Sequence, residues 1–163
     1  MRRSYTPEKR WGELQGEFPS FLIYRPLSFP ISLVLLGLRV PILAVTLSSA
    51  LLAVVMPVLA WHGGPQAYWG VAALGFCFHV LDCVDGNMAR TAGTASKLGG
   101  LVDGFVDLSF WCLLFLSLGL LVEKAGGGIF GDRAAELGLG LAVLVLLNRA
   151  TRETYAASHG QTT

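Results

Sequence analysis

Charge is scarce in this sequence. Only 14% of its 163 residues are Asp, Glu, Lys or Arg, while 53% are hydrophobic. An ordinary soluble domain is about 25% charged, and the apolar runs here are longer than its core would need. The net charge is +1, and no nucleic-acid-binding motif occurs, so nucleic acid is excluded as a partner. Cysteine is scarce as well. Cys77, Cys83 and Cys112 are odd in number and lie in apolar segments, where burial is expected. They form no disulfide framework and have no CxxC metal spacing. Met1 to Ser20 lacks the apolar stretch of a signal peptide. There is no internal repeat and no low-complexity tract. What is left is an all-α chain that lives in a membrane.

Its order along the chain can be read from apolar length and punctuation. Thr6-Pro7-Glu8 is a helix start, with Thr as cap, Pro in the first turn and an acid behind it. Trp11, Leu14 and Phe18 then recur at helical spacing, opposite Arg10, Glu13 and Glu17. That pattern predicts an amphipathic helix on the membrane surface. Arg25-Pro26 should end it, and Pro30 should bound a linker. Ile31 to Leu38 is apolar but too short to cross. Pro41 to Trp61 can cross a hydrocarbon core of about 30 Å, with Pro57 as a kink.

Tyr68 to Leu81, Leu98 to Val122 and Ile129 to Leu147 are the other spans. Within the third, Gly100-x3-Gly104 should allow close helix approach. The expected fold is therefore a bundle of about four transmembrane helices plus the N-terminal surface helix. Its expected divisions are 1–30 (surface helix and linker), 31–148 (transmembrane domain) and 149–163 (polar tail). Ten of the twelve Lys and Arg residues fall on the side of the N-terminus, the 91–97 connection and the tail. Lys124 and Arg133 are the other two, so that side is expected to face the cytoplasm of an inner membrane.

Against this apolar background, four carboxylates stand out. Asp82 and Asp85 close the second span, with Gly86 and Ala89 on the same helical face. Gly99, Asp103 and Asp107 share a face of the third. Two facing stripes would form a four-carboxylate cup beside open space. Carboxylates at membrane depth are costly and mark function. Four oxygen donors without His or Cys suit a hard cation, Mg²⁺ or Mn²⁺.

The stretch Asp82-x2-Asp85-Gly86-x2-Ala89-Arg90-x8-Gly99-x3-Asp103-x3-Asp107 resembles the motif of the CDP-alcohol phosphotransferase (CDP-alcohol phosphatidyltransferase) family, with all eight fixed positions in place. The resemblance implies two metal ions, held by Asp82, Asp85, Asp103 and Asp107, with Asp107 also the catalytic base. It implies a nucleotide-binding role for Gly86, Ala89 and Gly99, which leave room, and for Arg90, which pairs with phosphate. The implied donor is CDP-diacylglycerol or another CDP-alcohol, the acceptor is an alcohol, CMP leaves, and membrane lipids and a second copy of the chain are partners. The chain departs from the family's pattern in having about four spans where six are common, as a product truncated at the C-terminus would. Pro41-Ile-Leu-Ala-Val-Thr46 also lacks the Asn usual there and shifts the Thr by one.

Other residues have plainer readings. His79 reads as a hydrogen-bonded interior histidine and Cys83 as packing. Arg149 and Arg152 read as snorkelling anchors rather than phosphate ligands. Three rival functions use similar carboxylates. A membrane prenyltransferase would not need Gly86, Ala89, Arg90 and Gly99. A divalent-cation transporter would place its acids at the midplane. An inactive relative would bind only metal or partners.

The topology is open to a direct test. In a chain whose native cysteines are replaced, Gly64→Cys should react with an impermeant thiol reagent outside intact cells. Thr94→Cys should react only after lysis, and its labelling from outside would reverse the assignment.

Overall fold

The computed structural model describes residues 23–64, 66–126 and 128–158. The expected amphipathic helix over Thr6 to Phe18 lies outside them. All the described elements are helical: α1 (Arg25–Gly37), α2 (Ile42–His62), α3 (Ala67–Ala92), α4 (Lys97–Lys124), a short 3-10 helix (Gly128–Arg133) and α5 (Ala134–Ser158). Four of these, α2, α3, α4 and the Ala134–Arg152 part of α5, are long and apolar enough to cross a membrane. Large apolar side chains such as Leu51, Trp69 and Leu144 are exposed, as lipid-facing positions are.

Three expectations about boundaries and packing are corrected. Pro30 does not bound a linker: it is accommodated inside α1, which begins at Arg25 with Pro26 in its first turn, where the missing N–H costs nothing; the helix that Arg25-Pro26 is expected to end lies outside the described residues. Ser28 and Ser32 of α1 are buried, and their hydroxyls are hydrogen-bonded. The last span begins after Asp132 and Arg133, which the 3-10 helix carries out of it. Gly100 is not a close-packing position, since a Cβ there would meet nothing among the described residues. The cysteines are less buried than expected: Cys77 is exposed, Cys83 and Cys112 half-buried.

By internal packing the chain divides into two units, Met1–Leu51 with Phe76–Val106, and Leu52–Gly75 with Asp107–Thr163. In the first, Val45, Val80, Val84 and Met88 form a buried cluster covered by Tyr24, Leu35, Leu36 and Ile42. Helix α1 joins it through hydroxyls as well. Ser32 donates to the Ser28 carbonyl (2.6 Å), with the Val84 carbonyl of α3 at 3.4 Å. A left-handed Arg39 (φ 57°) then turns the chain into α2.

The second unit is built on close backbone approach. A Cβ at Gly119 would lie 2.6 Å from the Ala134 carbonyl oxygen, and one at Gly138 would lie 2.5 Å from that of Phe115. These glycines, not Gly100, let α4 and α5 meet, as small residues do in membranes. Glu123 accepts from the Ala135 N–H (3.2 Å), capping α5. The Lys124 ammonium donates to the carbonyls of Trp61, in the last turn of α2, and of Gly63 just past it.

Gly138→Ala should therefore destabilise the detergent-solubilised protein by roughly 1–3 kcal/mol through overpacking. Gly140→Ala, into open space two residues on, should be neutral or stabilising by up to about 1 kcal/mol. Thermal unfolding of the two variants side by side distinguishes close packing from a general intolerance of α5.

Candidate active site

The ends of α3 and α4 are set by local chemistry. Gly93 takes the left-handed conformation (φ 68°), and the Thr94 N–H closes back on the Ala89 carbonyl (3.1 Å). This is a glycine-terminated helix end of the common kind. The Ser96 hydroxyl accepts from the Gly99 N–H (3.0 Å) and caps α4. Between the two caps run only a few small residues, so Asp103, near the start of α4, returns to Asp82 and Asp85 of α3.

Within the first unit, Asp82, Asp85 and Asp103 each offer an oxygen, and the three oxygens lie within 4.8 Å of one another. Asp85 is 4% exposed. The Thr46 hydroxyl of α2 donates to its Oδ2 at 2.7 Å. A cavity of about 430 Å³ opens beside the group. Its walls include Thr46, Asp85 and Asp103, together with Gly86, Ala89, Arg90 and Gly99. All four residues expected to meet a nucleotide thus line one cavity with two of the aspartates. The space over Gly86 is not bare: a Cβ there would lie 3.2 Å from the Arg90 guanidinium, which folds back along the helix.

Arg90 is held from the side. Its Nη2 donates to Asn87 Oδ1 (3.0 Å). Asn87 Nδ2 donates to Ser28 Oγ (2.8 Å), and the Ser28 hydroxyl donates to the Arg25 carbonyl (2.8 Å). Burial pushes the Arg25 guanidinium below its ordinary range; the Arg90 charge acts the same way and Cys83 opposes it. His79 stacks on Tyr24 at 5.1 Å between ring centroids, an interior contact.

In the second unit, Asp107 Oδ2 receives Arg149 Nη1 at 3.3 Å. A second cavity, of about 440 Å³, is lined by Asp107, Trp111, Asn148, Arg149 and Arg152. Arg149 is therefore more than an anchor at a span end; it carries an ion pair with a motif aspartate.

Oxygen-only donors at this spacing fit a hard divalent cation, and three like charges so close favour one. The group also has room beside it for a phosphorylated ligand. Residues 38–159 match the family model of CDP-alcohol phosphatidyltransferases, most of the chain. The chain belongs to that family. No curated protein and no solved structure matches it. The CDP-alcohol phosphatidyltransferases are transferases, generally metal-dependent, and four apolar helices make this member an integral membrane protein.

Two features of the site were missed in the sequence. Thr46 was noted only as displaced by one position, although a lone threonine in a strongly apolar helix signals a polar partner. Asn87 occupies a variable position inside the motif and Ser28 lies well before it, and only their polarity in apolar helices marks them.

Thr46→Val should cost about 1–3 kcal/mol, the scale for stranding a buried carboxylate without its donor. Ser48→Ala, which removes an exposed hydroxyl bonded only within its own helix, should change stability by well under that in the same thermal assay.

Proposed function

We propose that the protein transfers a phosphatidyl group, or another substituted phosphate, from a CDP-alcohol to an acceptor alcohol. CDP-diacylglycerol is the proposed donor and CMP the leaving group. The acceptor oxygen bonds to the β-phosphorus as the bond from that phosphorus to the bridging oxygen breaks. CMP departs with the bridging oxygen and its electron pair, and the hydroxyl proton goes to a carboxylate. What carries this reading is the single cavity in which two clustered aspartates, three small residues and Arg90 meet.

Each residue has a part. Asp82, Asp85 and Asp103 would hold Mg²⁺ or Mn²⁺, with Asp107 sharing a second ion. The ions would supply positive charge to the pyrophosphate and the leaving oxygen. Thr46 fixes one oxygen of Asp85. Gly86, Ala89 and Gly99 leave room for the cytidine nucleotide, and Arg90 grips a phosphate. Asp107 takes the acceptor's proton; Arg149, paired with it, holds that carboxylate in one orientation. The protein contributes mostly position and charge, as expected for displacement at phosphorus. The Lys and Arg asymmetry supports a cytoplasmic site, on the side where a soluble nucleotide is supplied and released.

The test is CMP release by the purified protein from CDP-diacylglycerol over a panel of acceptor alcohols. Exhaustive chelation should abolish it and Mg²⁺ restore it. Asp107→Asn should keep donor affinity within a few-fold and lose turnover by roughly 10²-fold or more, the scale of a positioned base. Asp85→Asn should weaken metal and donor binding together. Near wild-type turnover by Asp107→Asn would assign the proton to another group.

A further inference from the structure

The hydrogen bonds beside Arg90 form a directional series. The guanidinium donates to Asn87, Asn87 to Ser28, and Ser28 to the Arg25 carbonyl. Asn87 is 9% exposed and Ser28 is fully buried, so the bond between them is sheltered from water, while the bonds to Arg90 and to the Arg25 carbonyl are part-buried. An amide accepts through its oxygen and donates through its nitrogen while staying neutral, as both ends of this position require. A carboxylate at position 87 would accept from Arg90 but could not donate to Ser28, and it would cancel the guanidinium's charge. An apolar side chain would do neither.

Arg90 itself is exposed. A long cationic side chain in that setting samples many rotamers unless something restrains it. Two restraints are present: the missing side chain at Gly86, which leaves the notch where the guanidinium lies, and the Asn87 acceptor. Helix α1 reaches Arg90 through this series. No fixed position of the family motif is Asn87 or Ser28.

We propose that Asn87, anchored by Ser28, is a positioning residue: it holds the Arg90 guanidinium in the notch over Gly86 and so fixes where the site grips the donor's phosphate. The proposal rests on the reading of Arg90 as a phosphate partner. It also gives Gly86 a second task, seating an arginine as well as leaving room for a nucleotide. Without Asn87 the arginine keeps its charge but must be ordered on each binding event.

The experiment is equilibrium binding of CDP-diacylglycerol, with Mg²⁺, to the full-length protein in detergent. Asn87→Leu and Arg90→Ala are measured alone and together. Each single variant should weaken binding about tenfold, the scale of a hydrogen bond to a charged group. The double variant should bind no more weakly than Arg90→Ala, because nothing is left to hold. Additive losses would mean that Asn87 acts through helix packing, and would overturn the proposal. So would wild-type affinity in Asn87→Leu. If Asn87→Leu does not fold, Ser28→Ala in the wild-type and Arg90→Ala backgrounds completes the same cycle, with a loss of about threefold expected only in the former. Undiminished binding by Arg90→Ala would remove the phosphate grip and this proposal with it. Failure of the wild type to bind would instead strike at the donor assigned above.

Discussion

Mutual repulsion among Asp82, Asp85 and Asp103 is the constraint on which the rest of the first unit depends. Two unit charges about 4 Å apart interact by roughly 4 kcal/mol even at an effective dielectric constant of 20. A chain gains nothing in stability by assembling three such groups at the end of apolar helices. The assembly persists because other features force it. Gly93 and Ser96 end one helix and start the next within a few residues. Thr46 donates to the most buried of the three carboxylates. The apolar cluster around Val84 and Met88 fixes the α3 face from which two of them project. Such an arrangement stores a demand for positive charge, which a divalent cation meets.

The class of fold and the core of the site were legible because both rest on long or rigid patterns. Apolar length located four spans, since a bilayer permits little else, but it stopped the second at Leu81, where the charged end of α3 runs on to Ala92. The aspartates were legible because helical periodicity and a fixed motif spacing agree. Residues whose role depends on tertiary partners were not. Pro30 reads as a break by local preference, yet it lies inside α1, whose buried serines meet the Val84 carbonyl and the Asn87 amide of α3, partners that no local rule contains. Gly100 and Gly119 look alike in sequence; only the neighbour across the gap tells them apart. Thr46 could be located but not given a partner, because Asp85 lies on another helix.

The two units use different means to hold helices together where water cannot help. The first relies on hydroxyl and amide groups whose bonds are directional, so rotation of α1 or α2 breaks them. The second relies on glycines that bring backbones into contact, reinforced at the loops by Glu123 and Lys124. Directional bonds suit the region that must hold side chains to within fractions of an ångström. Shape-matched backbones suit a scaffold.

Helix α1 has a consequence for how the molecule is put together. It is 13 residues long, short of the roughly 20 needed to cross a bilayer unaided. Its buried serines face groups that exist only once α3 is in place: the Val84 carbonyl and the Asn87 amide. The order of the chain and the order of its assembly therefore run in opposite senses. The segment synthesised before the spans finds the partners of its serines only on a helix synthesised after it, and until then Asn87 lacks its acceptor.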